Sequence, residues 1–248
     1  MDEDLAIYMA THSEKCIHVL EYDYIIPIQA GKALNSVSIE EVTDNTGDNI
    51  SEKNNTYCEL TVLYWMWKNT NNKYIGLYHY RRRFDIDKEE ILNILNNTDI
   101  ILPKKKIFKI SLKEQYIKEH NKQDWYILMD ILRELYPEYY EFSNKVFEKN
   151  EIYRFNMFIM KKEMFDNYCE WLFPILEKVE KNINVEEKNN YQKRYAGFMS
   201  ERLFTLYVIY NKFKIYEADL IFSERRINEN IKNLVNNYIF NFRSLIGK

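Results

Sequence analysis

The residues best suited to chemistry follow a short apolar strand, predicted at residues 74–80. His79 and Tyr80 end that strand, and three arginines occupy positions 81–83 directly after it. In an α/β sheet, ligands bind outside the carboxyl ends of the strands. Guanidinium groups present paired N–H donors that match phosphate oxygens. This pattern predicts a site for an anionic ligand, with a solvated basic turn after an edge strand as the alternative.

Two further polar segments are expected near the same edge of the sheet. The first predicted strand, at residues 5–9, opens into Ala10, Thr11 and His12. A turn-prone polar loop at residues 44–49 precedes the aromatic helix predicted at 57–68. Its polar side chains add candidate ligand-binding groups, namely Asp44, Asn45, Asp48 and Asn49.

Length and composition fit one large α/β domain over residues 1–248, or such a domain with a helical extension. Hydrophobic residues make up 46% of the 248 and aromatic residues 16%, which suffices for a packed core. A net charge of −3 argues against general nucleic-acid binding, which needs a broad basic face. The three cysteines show no zinc-type spacing, and no apolar run is long enough to span a membrane. We therefore expect a cytoplasmic protein.

Predicted strands and helices alternate, which is typical of a mostly parallel sheet covered on both faces. Strands are predicted at residues 5–9, 24–29, 74–80, 99–103, 154–160 and 215–218. Helices are predicted at 57–68, 88–95, 112–120, 125–135, 162–179 and 200–211, with additional helix in a C-terminal tail at 226–248.

Common catalytic motifs are absent from the sequence. It contains no GxGxxG, GxxxxGK[ST], GxSxG or HExxH, and its four histidines lack metal-ligand spacing. Asp85 and Asp87 match an Asp-x-Asp metal motif in letters only. Because they lead into a predicted helix, we interpret them as N-terminal capping residues, with a metal site as the alternative.

Two blocks of sequence resemble a known family. The first is TGDNISEKNNTYCELTVLYWMWKN with YIGLYHYRRRF, and the second is NMFIMKKEMFDNYCEWLFPILEKVE with RYAGFMSERLF. They are similar to a bacterial family long catalogued as a domain of unknown function, found among capsular-polysaccharide and lipopolysaccharide genes and classed with glycosyltransferases. The resemblance spans about residues 7–204. It implies a GT-A-like fold and sugar transfer from a nucleoside diphosphate, in some members galactose or galactofuranose.

The resemblance also implies a division of the chain. Residues 1–103 would form the nucleotide-sugar-binding half and residues 104–225 the acceptor-side half, which would include Asn156 and Arg202. The donor would contact residues 10–12, the polar loop at 44–49, and His79, Tyr80 and Arg81. Carboxylates normally stand where this last group stands, so we expect cations to replace the metal ion. Mn²⁺ or Mg²⁺ remains the alternative.

Glu201 is the candidate general base, because sugar transfer with inversion needs a carboxylate that deprotonates the acceptor hydroxyl. Its alternative role is a first-turn glutamate in the helix predicted to start at Ser200. Asp48 and Glu59 are the other candidate bases. Of the arginines, Arg81 is favoured because it shares the strand parity of His79.

The expected partners follow from the same resemblance. They are a UDP-sugar donor and a lipid-linked oligosaccharide acceptor, with possible peripheral contact at the inner face of the plasma membrane and no nucleic acid. A non-catalytic nucleotide-sugar-binding subunit is the main alternative. A phosphotransfer enzyme is disfavoured because no phosphate-binding loop is present.

Overall fold

Apolar runs that end in polar residues form the strands of the protein. The computed structural model describes residues 4–12 and 22–222, so Cys16, His18 and the predicted tail at 226–248 lie outside the described residues. The strands are β1 Leu5–Thr11, β2 Ile25–Gln29, β3 Val42–Thr43, β4 Tyr74–His79, β5 Arg82–Phe84, β6 Ile100–Pro103, β7 Lys106–Ile107, β8 Glu151–Ile152, β9 Phe158–Lys161, β10 Ile215–Ala218 and β11 Leu220–Phe222.

One central sheet has the strand order β10-β6-β9-β4-β1-β2-β3, and β5 joins it beside β4 and β11. Neighbours along the main order are parallel except β9, which is antiparallel to both β4 and β6. The predicted mostly parallel sheet is therefore confirmed. The direction of β9 has a consequence for the site. Its amino end lies at the edge where β1, β4 and β6 have their carboxyl ends.

Eight helices surround the sheet within the described residues. They are α1 Asn54–Tyr57, α2 Leu60–Asn69, α3 Lys88–Leu95, α4 Leu112–Glu119, α5 Lys122–Leu135, α6 Pro137–Phe147, α7 Lys162–Asn182 and α8 Tyr195–Tyr210.

Three of the predicted boundaries that differ from the structure concern residues of the site. The helix predicted at 57–68 breaks at Cys58, whose φ of 53° is outside the helical range. The helix predicted from Ser200 begins at Tyr195, so Gly197 lies inside it. The strand predicted at 154–160 begins only at Phe158, because Phe155 and Asn156 adopt positive φ.

The core lies on both faces of the sheet. In β1, Ala6, Tyr8 and Ala10 face the large helical cluster, whereas Leu5, Ile7 and Met9 face a smaller one. This alternation follows from the two-residue period of a strand, and burial on both faces is typical of parallel sheets.

Both tryptophans of α2 have packing partners. The Trp65 ring lies edge-on to Tyr8 with centroids 5.5 Å apart, and Trp67 stacks on Phe173 at 5.6 Å.

Asp44 fixes the chain that follows β2. It is fully buried, and its carboxylate accepts hydrogen bonds from the Gly31 and Lys32 amides at 2.7 and 3.1 Å. The hydroxyls of Ser51 and Thr61 donate to it at 2.5 and 2.6 Å. Because four donors converge on one buried carboxylate, Asp44 ties the loop after β2 to the start of α2.

We expect Asp44→Asn to lower the free energy of unfolding by about 3 kcal/mol, because hydrogen bonds to a buried charge are lost and an amide meets other donors. The measurement is urea denaturation followed by circular dichroism. Asp48→Asn, in the exposed part of the same loop, is the control and should change stability by less than about 0.5 kcal/mol. Equal midpoints for Asp44→Asn and wild type would contradict this role.

Candidate active site

A cleft of about 960 Å³ opens at the edge where β1 and β4 end. Strand ends, the β4–β5 turn, the α1–α2 corner and the segment before α8 all contribute to it. The residues lining it are Ala10, Thr11, His12, Ala30, Asn54, Asn55, Cys58, Glu59, His79, Tyr80, Arg81, Arg82, Phe155, Asn190, Lys193, Arg194 and Glu201.

The β4–β5 turn supplies two arginines to the cleft. β4 ends at His79, one residue earlier than predicted, and Arg82 pairs with it across the hairpin. Paired residues on adjacent strands share a face of the sheet, so Arg82 joins His79 there. Arg81, in the turn, also lines the cleft. The strand-parity argument, which favoured Arg81 over Arg82, therefore does not apply.

Aromatic rings hold both guanidinium groups. Arg82 lies 4.1 Å from the centroid of Phe155, and Arg81 lies 4.7 Å from that of Tyr80. Such cation–π contacts orient a guanidinium group without using its hydrogen-bond donors. Within the described residues, the buried Nε of Arg82 has no hydrogen-bond partner, so this donor is available to a ligand oxygen.

The end of β1 brings His12 into the same cleft as these cations. Tyr80 donates its amide to Ala10 O at 3.2 Å, while the Thr11 hydroxyl donates to Ile28 O. Burial lowers the pKa of His12, and the positive charges of Arg81, His79 and Arg194 lower it further. Positive charges from the β4–β5 hairpin and from Arg194 therefore act together on His12, and this position suits an anionic group.

A left-handed turn connects this cationic wall to two carboxylates. Phe155 and Asn156 have φ values of 74° and 50°. Phe155 donates its amide to Glu201 Oε1 at 2.6 Å, and its carbonyl lies 2.6 Å from His79 Nε2. Because a carbonyl only accepts, the proton of that pair belongs to His79 Nε2.

The Asn156 side chain lies behind the cleft, 2% exposed, and does not line it. Its Nδ2 donates to Glu59 Oε1 at 2.7 Å and to Ser200 Oγ at 2.9 Å. Within residues 4–12 and 22–222, its buried Oδ1 has no hydrogen-bond partner. Asn156 therefore holds Glu59 against α8.

Glu201 has the environment of a proton acceptor. It lies in the second turn of α8, so the predicted alternative of a first-turn, dipole-stabilised glutamate is wrong. Burial raises its pKa and the charge of Glu59 raises it further, against the opposing effects of Arg202, the Phe155 amide and Arg154. A carboxylate with a raised pKa is a stronger base near neutral pH.

Several residues predicted for the site lie elsewhere. Asp44 is enclosed by the four donors described above, and Asn45, Asp48 and Asn49 lie outside the cleft lining. Tyr64 donates its hydroxyl to Asp48, which packs the loop on α2. Arg202 is buried and donates to Phe198 O and Gln115 Oε1, away from the cleft.

The cleft also contains residues that the sequence reasoning did not assign to it. These are Ala30, Asn54, Asn55, Cys58, Arg82, Phe155, Asn190, Lys193 and Arg194, while Glu59 had been only an alternative base. The sequence feature that could have indicated Lys193 and Arg194 is that they form an adjacent basic pair directly before an apolar helix. Its distance in sequence from the arginines at 81–83 concealed the connection.

Among the described residues, the end of β4 and the turn that follows it present no carboxylate to the cleft. No group of three or more His, Cys, Asp or Glu side chains in the described ranges could hold a metal ion. Asp87 caps α3 by accepting from the Glu90 amide at 3.0 Å, as its capping interpretation predicts. Histidine and arginines occupy the end of β4, whereas Mg²⁺ requires oxygen ligands.

Comparisons with known proteins agree with this architecture. A family model described as a domain of unknown function, DUF4422, matches residues 6–212. The apo structure of the WbbM bifunctional glycosyltransferase is similar at 32% identity and a TM-score of 0.81, over 88% of this chain and 45% of that chain. The chain thus spans less than half of that relative, and the similarity confirms the predicted GT-A-like fold.

Mouse xyloside xylosyltransferase 1, in its apo form, matches at 8% identity and a TM-score of 0.40, over 86% of this chain and 84% of that chain. No curated protein matches the sequence. No helix among the described residues is both long and apolar enough to cross a membrane.

The raised pKa of Glu201 predicts a pH-dependent effect of Glu201→Gln on stability. The stability that protonated Glu201 contributes is complete below its unfolded pKa and is lost as pH rises through the folded one. The variant should therefore melt above wild type at about pH 8, and the difference should shrink as pH approaches the ordinary value of 4.5.

Differential scanning calorimetry across this range is the measurement. Glu170→Gln, on the exposed face of α7, is the control and should show no such trend. A difference in melting temperature that stays constant with pH would contradict the raised pKa.

Proposed function

The chain belongs to the DUF4422 family, and we propose that it is a glycosyltransferase that uses a nucleoside-diphosphate sugar. One observation carries this proposal. A single cleft of the GT-A-like fold brings His12, His79, Arg81 and Arg82 together with the half-buried carboxylate of Glu201. The arginine cations suit an anionic leaving group, and the carboxylate suits the proton of an incoming hydroxyl.

On the donor side, the arginines neutralise the diphosphate. Its negative charge is present in the bound donor and increases as the bond to the sugar breaks. Fixed guanidinium groups stabilise that developing charge more than the ground state, which accelerates the reaction. Because the residues at the end of β4 do not suit a metal ion, no step is assigned to one.

On the acceptor side, Glu201 is the general base. The acceptor oxygen attacks the anomeric carbon while its proton passes to the free oxygen of the Glu201 carboxylate. The bond from the anomeric carbon to the diphosphate oxygen breaks, and its electron pair leaves with the diphosphate. A single displacement of this kind inverts the anomeric configuration.

The finer features of the substrate follow from the family resemblance. We propose a UDP-sugar donor carrying a hexose, such as galactose or galactofuranose, and a lipid-linked oligosaccharide acceptor in cell-surface polysaccharide synthesis. The WbbM protein is described as a bifunctional glycosyltransferase, which supports sugar transfer by this chain. The reaction would take place peripherally at the inner face of the plasma membrane.

A panel of nucleotide sugars tests this function. UDP, GDP, ADP and their hexose conjugates are titrated by calorimetry, and nucleotide release is measured with oligosaccharide acceptors. We expect micromolar binding of one nucleoside diphosphate and turnover of its sugar conjugate. Binding without turnover on any acceptor would favour the non-catalytic subunit. Failure of a folded sample to bind any member would refute the proposal.

Activity should survive chelation by EDTA, because His79, Tyr80 and Arg81 stand where metal-binding carboxylates normally stand. The measurement is nucleotide release before and after dialysis against the chelator, with a Mn²⁺-dependent glycosyltransferase as control. Loss that Mn²⁺ restores would overturn this prediction and direct attention to Asp85 and Asp87.

Glu201→Gln should cut turnover by roughly 10²-fold or more while leaving donor affinity within about twofold, since glutamine cannot accept the proton. Turnover and calorimetric donor binding are compared in the same preparation. Asp48→Asn, outside the cleft, is the matched control and should keep wild-type turnover. Near-normal turnover of Glu201→Gln would transfer the role of base to Glu59, the other carboxylate in the cleft.

A further inference from the structure

One wall of the cleft is a connecting segment between α7 and α8, residues 183–194, which we call the strap. A buried ion pair fixes it to α5. The Lys188 ammonium lies 2.8 and 2.7 Å from the two carboxylate oxygens of Asp124, and these side chains are only 5% and 4% exposed. Gln192 also donates to Glu119 O at 3.0 Å. The strap is therefore held in place independently of any ligand.

The end of the strap lines the same cleft as the β4–β5 hairpin. Asn190, Lys193 and Arg194 line the cleft from this side, and Arg81 and Arg82 line it from the sheet edge. The charges of Arg81 and Arg194 both act on His12, so the two walls share one electrostatic centre. Two walls of cations around a single point match the dispersed charge of a diphosphate.

Arg194 has a weak partner in this structure. Its Nε donates to Cys58 Sγ at 3.2 Å, at the corner between α1 and α2. Burial raises the pKa of Cys58 to about 11, so the thiol is neutral at physiological pH. Neutral sulfur is a weak acceptor, whereas a phosphate oxygen forms a short, charge-assisted hydrogen bond with guanidinium. An anionic ligand would therefore displace Cys58.

We propose that Arg194 is a further phosphate-binding residue, which exchanges the Cys58 thiol for the diphosphate and holds it from the strap side. Arg81 and Arg82 hold the same group from the sheet edge, so the diphosphate is bound between two walls. This inference rests on the proposed function, since the diphosphate belongs to the nucleotide-sugar donor. Cys58 serves as the resting partner of Arg194 and does not itself bind the donor.

Calorimetric titration with UDP tests this assignment in four variants of the full chain. Arg194→Ala should weaken UDP binding at least tenfold while leaving uridine binding unchanged, because only the phosphates are affected. Arg194→Lys, which keeps the charge but loses the planar fork, should fall between Arg194→Ala and wild type. Cys58→Ala should bind UDP as tightly as wild type or more tightly. Arg133→Ala, on the exposed face of α5, is the matched control.

A purely structural Arg194–Cys58 contact gives a different result. Cys58→Ala and Arg194→Ala would then lose UDP affinity and melting temperature to the same extent, which would overturn the proposal. Wild-type affinity in Arg194→Ala would also overturn it. If Arg194→Ala does not fold, Arg194→Lys and Cys58→Ala still decide, since only the lysine variant should lose affinity. Absence of UDP binding by wild type would instead count against UDP as the donor nucleotide, and the four variants would then be titrated with the nucleoside diphosphate that the panel identifies.

Discussion

The left-handed turn at Phe155 and Asn156 is the constraint on which the candidate active site depends. Its backbone amide holds Glu201, its carbonyl holds His79, and the Asn156 amide holds Glu59. The turn reaches all three because β9 runs antiparallel to its neighbours β4 and β6. A parallel strand in that position would bring its carboxyl end to the cleft, and its preceding residues would lie at the opposite edge.

Electrostatics within the cleft combine two opposing effects. Arg154 and Arg202 stabilise ionised Glu201, yet burial outweighs them and raises its pKa. Burial lowers the pKa of His12, and the positive charges of Arg81, His79 and Arg194 lower it further. A substrate can satisfy both groups. Its hydroxyl gives a proton to the Glu201 carboxylate, and its anionic group brings negative charge to the cations around His12. A ligand of this kind should also stabilise the fold through binding linkage.

Sequence reasoning succeeded where structure is local and failed where it is not. The arginines, His79 and the end of β1 were predictable because each directly follows an apolar strand. Glu201 was predictable as a carboxylate, but its place in the second turn of α8 was not, because Gly197 suggested a later start of the helix. The contribution of Arg194 depends on the buried pair of Lys188 and Asp124, whose pairing no local pattern reveals. Asp44 shows the opposite error. Because it lies in a polar loop, it was predicted to bind a ligand, but its carboxylate is buried and accepts hydrogen bonds from four donors of the protein itself.

The left-handed turn is strained because neither of its two residues is glycine. Glycine would adopt positive φ without steric cost, whereas non-glycine residues there cost about 1–3 kcal/mol each. Glycine at position 156 would remove the amide that holds Glu59, and at position 155 it would remove the ring against which Arg82 and Arg154 lie. Asparagine tolerates this conformation better than most residues, and its amide supplies two donors. The strain therefore accompanies the contacts that orient both carboxylates and an arginine, and hydrogen bonds from Phe155 and Asn156 to Glu201 and Ser200 of α8 oppose it.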